Sequence, residues 1–353
     1  MPVLQAAGIP DIIAAGLAQL GRGKVVDLTS DTQEYVAWTQ MTKKPRIDKQ
    51  SDGHSIQWDI MIDDNGSARA VGLYSQDNIN VPNVLKQVSI PWRHIEASYA
   101  FDHHEIDMNK GASQIVKIME IRRYAAMVAM AKFFEDRFWR LPASDDTRNI
   151  LGIPYWIVKS NTAVTTNNGF NGGLPSGYTA VAGLSNVDVP RWANYAVQYT
   201  NIDVTDLIPK WERAADFTRF MPPVTNPKDF NTGDKYSYNT TYTVYQASKQ
   251  ILRSQNDNLG TDMDPYHDRP TFRRVPITWT PQLDIDTTDP IYGINWGQLK
   301  LAVLNNWWMK EFVQDRMPSQ HNVTGVFLDS SLNPILRDRR SCFVLAKNTG
   351  LPQ

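Results

Sequence analysis

The sequence predicts an α+β protein, in which strands and helices occupy separate stretches of the chain instead of alternating. Residues 54–106 contain no helical pattern, whereas residues 109–140 form one unbroken helical run. Strand patterns with a period of two return together after Thr271. This segregation favours the α+β class over a doubly wound parallel sheet.

The first 53 residues mix Gly, Pro, Thr, Lys and Asp with little periodicity, apart from a short helix predicted around Asp11–Leu20. The segment Met1–Leu20 is mildly apolar, but it lacks a basic start and Asp11 interrupts it, so it is not expected to be a signal peptide. Residues 1–53 are therefore predicted to form an arm that partner subunits hold down.

A hairpin is predicted next. In His54–Ile62 the apolar residues alternate with polar ones, which is typical of a strand with one covered face. The turn Asp63-Asp64-Asn65-Gly66 follows, and Asn-Gly tolerates the positive φ angles of a tight hairpin turn. Ser67–Tyr74 is predicted to return as the second strand.

A further extended run is predicted over Val84–Ile106, where Pro91 indicates an edge or a bulge. An isolated two-stranded hairpin is marginally stable in water. Because the sequence offers no obvious segment to cover the hairpin, neighbouring subunits are expected to cover it.

The helical run of residues 109–140 predicts a rod of about 45 Å. Asn109 or Ser113 is expected to cap its start, and Pro142 to end it. Its middle, Tyr124–Ala131, is apolar on every side and is expected to be buried all round. The apolar stretch is too short for a membrane span and basic residues flank it.

The rest of the chain gives a coarser pattern. A strand with a turn at Pro154 is expected, followed by a surface loop rich in Gly, Asn and Thr, two helices, and late strands. In chain order these are a strand at Asn149–Lys159, a loop at Ser160–Ser185, helices at Val204–Phe220 and Thr241–Leu259, strands at Val275–Trp279 and Pro290–Trp296, a strand passing into a helix at Leu299–Val313, and strands at Val323–Leu328 and Ser341–Lys347.

The composition narrows the class of protein. The 36 Lys and Arg residues nearly balance the 37 Asp and Glu residues, which argues against a dedicated nucleic-acid binder. The single cysteine, Cys342, excludes an internal disulfide framework and fits a reducing cytoplasm. It lies in a strand-like apolar run and is predicted to be an inert core thiol.

Few motifs of catalysis occur. Gly16 and Gly21 have P-loop spacing, but Arg22 stands where that motif needs lysine. On a strand, His103, Glu105 and Asp107 would share one face, so a metal-dependent enzyme using them is one alternative. The simpler interpretation is a polar strand end facing water or a neighbouring subunit, and we predict no cofactor, metal site or catalytic residue.

The run Arg337-Asp338-Arg339-Arg340 allows two interpretations. A short run of charges is most often a solvated or salt-bridged surface. Contact with nucleic acid is the alternative, and the nearly neutral net charge of −1 disfavours it.

These elements, in this order, resemble the major capsid proteins of tailed double-stranded DNA bacteriophages, the HK97-like capsid fold, which encapsulin shells also use. Gly152-Ile153-Pro154 resembles the turn that opens the axial domain of that family. RRVPITWTPQLDID and PIYGINWGQ resemble its late peripheral strands, and RRSCFVLAKNTG its closing strand. The resemblance covers nearly the whole chain.

The resemblance implies a division of the chain. The expected parts are an N-terminal arm (1–53), an extended hairpin loop (54–95), a peripheral domain (96–150 and 270–322) that includes the spine helix (109–140), and an axial domain (151–269 and 323–353).

The resemblance also implies a function without catalysis. Copies of the chain would assemble as pentamers and hexamers into an icosahedral shell in the host bacterial cytoplasm and remain in the virion. The shell would enclose DNA without sequence-specific binding and without a membrane. A portal protein is an expected partner, and scaffolding or decoration proteins are further candidates. An encapsulin-type shell is the alternative within the same fold.

Specific residues are predicted for these roles. Pro91 and Gly111 are predicted hinges, because proline interrupts a strand and glycine loosens the start of a helix. The predicted subunit contacts are Ile60, Asp64, Asn65, Gly66, Arg69, Tyr74, Asp286 and Asp289.

Overall fold

Two mixed sheets, a two-stranded hairpin and one long helix make up the architecture of the computed structural model. It describes residues 35–51, 53–63, 66, 68–73, 83–104, 112–160, 166–219, 236–254, 270–315 and 321–349. The predicted α+β class is confirmed.

The helices of the described residues are α1 (Val36–Met41), α2 (Ala112–Phe138), α3 (Ile153–Trp156), α4 (Leu207–Thr218) and α5 (Tyr242–Ser254). The strands are β1 (Ile47–Gln50), β2 (Ser55–Met61), β3 (Leu85–Pro91), β4 (Arg93–Asp102), β5 (Tyr195–Tyr199), β6 (Tyr236–Thr240), β7 (Thr271–Phe272), β8 (Val275–Trp279), β9 (Ile291–Asn295), β10 (Leu299–Leu304), β11 (Lys310–Gln314), β12 (Val323–Leu336) and β13 (Phe343–Lys347). Short 3-10 turns lie at Lys44–Arg46, Thr166–Gly169, Pro281–Leu283 and Arg339–Ser341.

The long strand β12 organises the five-stranded sheet. It pairs antiparallel with β4 along Val323–Leu332, with β11 around Phe327, and with β10 along Leu332–Leu336. Strand β1 joins the sheet parallel to β10. The long helix α2 packs against β4, so this sheet supports the helix along one side.

The six-stranded sheet has the order β5-β13-β9-β6-β8-β7. Its strands β5, β6 and β9 are buried at every position, which is typical of strands covered on both faces. Helix α4 contacts β5 and β13, and α5 contacts β8. Strands β8 and β9 belong to this sheet and β12 to the other, so the predicted domain bounds at 270 and 323 do not coincide with the division between the sheets.

The predicted long helix is confirmed over Ala112–Phe138, and Asn109 lies outside the described residues. The helix ends four residues before Pro142, so proline is not what stops it. Gly152 packs against its last turn instead. A Cβ at Gly152 would lie 2.4 Å from the carbonyl oxygen of Arg140 and 2.5 Å from that of Phe138.

The prediction that Tyr124–Ala131 is buried all round is wrong for the single chain. Ala126, Met130 and Ala131 are buried, but Tyr124 is 54% exposed and Ala125 is exposed as well. The reason is that β4 and α1 cover the helix on one side only.

The predicted hairpin pairing is also wrong. Strand β2 pairs with β3, from Ser55 opposite Pro91 to Met61 opposite Leu85, and not with Ser67–Tyr74. Gly66 does have a positive φ of 57°, but the described residues 68–73 form no strand. Strand β2 pairs with β3 because the alternating apolar residues of the two strands share one covered face.

The subunit itself covers that face of the hairpin. Ile56, Val88 and Ile90 are buried, and the ring of Trp58 lies 6.1 Å from that of Trp156. The expectation that neighbours alone cover the hairpin is therefore wrong for β2 and β3. The cover comes partly from the predicted surface loop 160–185, whose Ala182 carbonyl accepts a hydrogen bond from the Ser89 amide.

Three other expectations need correction, and two helices are confirmed. The predicted strand at Asn149–Lys159 contains helix α3, because proline at position 154 suits a first helical turn. The expected helix after Leu304 is strand β11, and pairing with β12 overrides its local pattern. The arm's residues 35–50 form α1 and β1.

The predicted helices at 204–220 and 241–259 are confirmed as α4 and α5, while Asp11–Leu20 lies outside the described residues.

Candidate assembly surfaces

A buried carboxylate joins the arm to the long helix. Glu135 of α2 is fully buried, and its carboxylate accepts the backbone N–H groups of Ala37 at 3.1 Å and Trp38 at 2.9 Å. The indole N–H of Trp139 also donates to it at 2.8 Å. A carboxylate at the first turn of a helix satisfies amides that lack partners within the helix. Residues 35–41 are therefore fixed on the subunit's own core.

A buried guanidinium near the C-terminal end of the chain binds several backbone carbonyl groups between residues 156 and 194. Arg339 is fully buried and donates to the carbonyl oxygens of Trp156 and Trp192, each at 2.8 Å. Further acceptors are the carbonyl oxygens of Gly172 and Gly173 and Oδ1 of Asn194. Burial lowers the pKa of Arg339 to about 9, so the group is still a cation at neutral pH.

The surface interpretation of the run 337–340 is thus wrong for Arg339 and confirmed for its neighbours. Arg337 pairs with Asp48 at 3.0 Å, and Arg340 with Asp338 at 3.3 Å. The predicted core position of Cys342 is also confirmed. It is fully buried, and burial raises the pKa of its thiol to about 12, which suppresses the reactive thiolate.

The far end of the hairpin exposes apolar side chains. Leu73 is 95% exposed, Met61 is 66% exposed and Leu85 is 56% exposed. Single exposed apolar residues are common on any surface, but several in one segment of the chain indicate a contact surface.

The outer side of α2 is a second apolar surface, here called the outer stripe. Successive members are three or four residues apart or adjacent, so they extend over about half of the helix circumference, with the exposed Lys132 among them. Its six residues are Ile121, Tyr124, Ala125, Val128, Ala129 and Phe133. Phe133 is 41% exposed although it is a large aromatic residue.

The predicted contact residues of the hairpin are only partly described. Ile60 is half-buried and packs against the subunit's own core, whereas Gly66 and Arg69 are exposed. Asp64, Asn65 and Tyr74 lie outside the described residues. Their contacts with another subunit remain predictions.

Asp286 and Asp289, the remaining predicted contact residues, both bind side chains of their own subunit. Lys159 pairs with the Asp286 carboxylate, which also accepts the Thr288 hydroxyl at 2.7 Å. Burial acts to raise the pKa of Asp286, but Lys159 and Thr288 outweigh it and hold that pKa below its usual value. The Asp289 carboxylate accepts the Thr241 hydroxyl at 3.0 Å.

The Lys159–Asp286 pair lies at a cavity of about 430 Å³ beside the C-terminal end of α2. Trp139, Ile157 and Tyr292 are among its apolar walls. The Asp286 carboxylate is already paired with Lys159 of the same chain. A contact of Asp286 with another subunit stays a prediction.

The predicted hinges fall in different parts of the chain. Pro91 ends β3, two residues before β4 begins at Arg93, and its carbonyl oxygen accepts the Asn333 amide at 3.0 Å. This position joins the hairpin to the five-stranded sheet. Gly111 lies outside the described residues, and bending at either position remains a prediction.

The alternative metal site is only partly described. His103 and His104 follow β4, and their rings contact Thr324 at 3.1 Å and Asn322 at 2.8 Å. Glu105 and Asp107 are outside the described residues. Among the residues that the structure describes, no three His, Cys, Asp or Glu side chains are placed to hold a metal ion.

Within the same residues, no helix has the length and apolar character of a membrane span.

Comparison with known proteins gives similarity of structure without similarity of sequence. No protein-family model matches the chain, and no curated protein matches it significantly. The capsid asymmetric unit of cyanophage A-1(L) is similar with a TM-score of 0.64 and 14% identity, over 94% of this chain and 98% of that one. The capsid of a native GTA particle is similar with a TM-score of 0.56 and 12% identity, over 98% of this chain and 99% of that one.

Both similarities extend over nearly the whole length of each chain, so they concern the complete architecture and not one shared motif. At such low identity they establish the fold and leave the function to be argued separately. The resemblance predicted from the order of elements is confirmed at this level. The chain has the fold of phage capsid proteins.

Proposed function

We propose that this chain is a major capsid protein of a tailed double-stranded DNA phage. Copies of it assemble through pentamers and hexamers into an icosahedral shell that encloses DNA. The observation that carries the proposal is the similarity to the cyanophage capsid chain over 94% of this chain and 98% of that one.

The exposed apolar surfaces support self-association. The hairpin end with Leu73 and the outer side of α2 with Tyr124 lie on different parts of the subunit. Contacts between two different surfaces of identical subunits are heterologous, and they generate rings or closed shells when the rotation closes. A single self-complementary patch would favour a dimer instead.

The charge balance suits a container for DNA. With 36 basic and 37 acidic residues, the chain has little capacity to bind phosphates strongly. DNA is therefore enclosed without sequence-specific contacts. The shell is assembled in the host cytoplasm and remains in the virion, with a portal protein and, where required, scaffolding or decoration proteins as partners. Its role is structural and not enzymatic.

Shortening the hairpin tests this proposal. Hydrogen bonding between the strands reaches Ile62 and Val84, whose backbone N–H and carbonyl oxygen are 2.9 Å apart. Replacing residues 63–83 by a short Gly-Ser link preserves the covered part of the hairpin and removes its exposed end. The expected product is a folded, soluble protein that forms no closed shells in electron micrographs.

A matched pair of variants refines the test within the same loop. Val71→Ser combined with Leu73→Ser removes exposed apolar side chains, whereas Ala68→Ser combined with Ala70→Ser adds hydroxyls at small residues nearby. The first pair should lower the assembled fraction, and the second should leave it unchanged. Normal shells from the shortened hairpin would contradict the assigned role of the hairpin end.

A further inference from the structure

Strand β11 forms an open edge of the five-stranded sheet. It pairs with β12 on one side, and no strand of the described residues lies on its other side. Lys310, Glu311, Val313 and Gln314 are exposed, and Phe312 is half-buried. An exposed edge presents backbone N–H and carbonyl groups that can pair with a strand of another chain. The five residues include no proline, which would block such pairing.

Both charged side chains of β11 already have partners in their own chain. Lysine on an edge strand commonly opposes pairing with a further strand. Here the ammonium group of Lys310 lies over two rings of its own chain, 4.5 Å from the centroid of Phe312 and 5.2 Å from that of Trp307. Glu311 pairs with Arg123 of α2 at 2.6 Å. A further strand at this edge would therefore meet charges that are already compensated.

Apolar side chains on one face of the sheet form a row that stops at this edge. Tyr99 of β4 lies beside Val326 of β12, which lies beside Val313 of β11. Val326 is buried, whereas Val313 is 64% exposed. One more strand beyond β11 would cover the open end of the row.

Aromatic side chains reach the same edge on the opposite face. Phe312 lies beside Phe327 of β12, and its ring is 5.5 Å from that of Trp307. Trp307 is 37% exposed. Both faces of β11 thus offer apolar surface to a strand placed at the edge.

Symmetry and charge restrict how a second copy of β11 can pair here. Residues opposite each other share a face, so two identical antiparallel strands related by a two-fold axis must place one residue opposite itself. Centring on Glu311 would bring two carboxylates together, and centring on Val313 would place Glu311 opposite Asp315. Like charges directly opposite are destabilising, so both registers are disfavoured.

Centring on Phe312 avoids this repulsion. Lys310 of each copy then faces Gln314 of the other, and Glu311 faces Val313. The two Phe312 side chains face each other, and aromatic pairs at opposite positions stabilise a sheet. Among the registers centred on residues 311, 312 and 313, this one alone sets no like charges opposite each other.

We propose that β11 pairs with β11 of a second copy of this chain, antiparallel and centred on Phe312. The five-stranded sheet then continues from one subunit into the next. The proposal rests on the proposed function, because an icosahedral shell contains two-fold axes at which such a contact would join neighbouring rings. A five-residue strand buries too little surface for a stable isolated dimer, so the contact gains strength from the other contacts of a shell.

Cross-linking tests the proposed register in the full-length chain. Lys310→Cys combined with Gln314→Cys places thiols of two copies opposite each other, while the same two positions are about 13 Å apart within one strand. A bismaleimide shorter than that distance should link two copies, and the buried native Cys342 stays unreactive. Each single variant is a matched control, because its two thiols also lie about 13 Å apart in this register.

The linked dimer is measured on denaturing gels, both for concentrated subunits and for assembled particles. A yield from the double variant no higher than from the single variants would overturn the proposal. Shells without the link would reject this contact and leave the proposed function intact. Linked dimers that never form shells would support the contact and contradict the proposed function.

Charge substitution at Gln314 provides an independent measurement. Gln314 lies opposite Gly325 within its own sheet, so a charge there acts mainly on the second copy. Gln314→Lys opposes Lys310 twice in each contact and should lower the association constant of the subunits about fivefold. Gln314→Glu should raise it instead.

The change in net charge acts in the opposite direction, because Gln314→Lys removes the formal charge of −1 and thereby lessens general repulsion. Sedimentation of concentrated, unassembled subunits compares the two variants with the wild type. Equal association of all three, or stronger association of Gln314→Lys, would overturn the proposal.

Discussion

The carboxylate of Glu135 accepts the backbone amide of Trp38 at 2.9 Å, in a position from which solvent is excluded. The two residues are 97 positions apart in sequence. Their contact fixes the start of the described chain to the C-terminal half of the long helix. The arm predicted from the sequence is thus divided, and its residues 35–50 belong to the subunit core.

Glu135→Gln should destabilise the subunit by about 1.5–3 kcal/mol, because an amide nitrogen would face backbone N–H donors that the carboxylate now satisfies. Urea unfolding measures this change. Asp136→Asn is the matched control, since Asp136 forms a half-exposed pair with Arg140 at 2.7 Å and should change stability by less than about 1 kcal/mol. Equal effects of the two substitutions would contradict the role given to Glu135.

Arg339→Lys should cost about 2–4 kcal/mol, because an ammonium cannot reproduce the planar fork that reaches Trp156, Trp192 and Gly173 at once. The thermal midpoint of unfolding would report the loss. Arg340→Lys should have little effect, because Arg340 is partly exposed and an ammonium group can keep its pair with Asp338, now at 3.3 Å. A stable Arg339→Lys variant would show that the buried fork is dispensable.

Gly152→Ala should destabilise the junction between α2 and α3 by more than about 2 kcal/mol. The added Cβ would meet three backbone oxygens at 2.4–2.8 Å, and backbone atoms cannot rotate away as a side chain does. Gly72→Ala is the control, because a Cβ there has no atom within 4 Å. Comparison of soluble yield and unfolding midpoint distinguishes the two, and similar values would refute the close approach.

Asp146 should contribute to stability above pH 4 and lose that contribution in stronger acid. The Asn149 side chain and two backbone amides donate to its carboxylate and lower its pKa from 3.8 to about 2. A lowered pKa in the folded state means that stability is present above the unfolded pKa of 3.8 and is lost as the pH falls toward 2. Urea midpoints at about pH 5 and pH 2.5 should differ less in Asp146→Asn than in the wild type.

Local patterns predicted the elements whose structure depends on local sequence. The long helix follows from an uninterrupted run of helix formers, and Val275–Trp279 from alternation between turn residues. Pairing was harder to predict. Asn65-Gly66 is a strong hairpin signal, yet β2 pairs with β3, which lies well beyond that turn in the sequence, because strand register depends on a covered face that distant residues create.

The assembly surfaces were predicted only in outline. A run of four charged residues gave no sign that Arg339 is fully buried, although the apolar strand that begins at Phe343 was a usable clue. The middle of the long helix, Tyr124–Ala131, was recognised as apolar, but which of its sides stays exposed depends on where β4 and α1 pack. All sides of this helix segment are equally apolar in sequence, so its periodicity does not show which side is buried. Tertiary packing decides it.

The mass and shape of the wild-type protein under assembly conditions test the central claim most directly. Electron microscopy of the purified chain, expressed alone and together with a candidate scaffolding protein, would provide both. We expect large closed particles with icosahedral order, in which rings of five and six copies share one subunit fold. A monodisperse monomer or dimer that stays soluble at high concentration, with or without such partners, would contradict the proposal that this chain builds a shell.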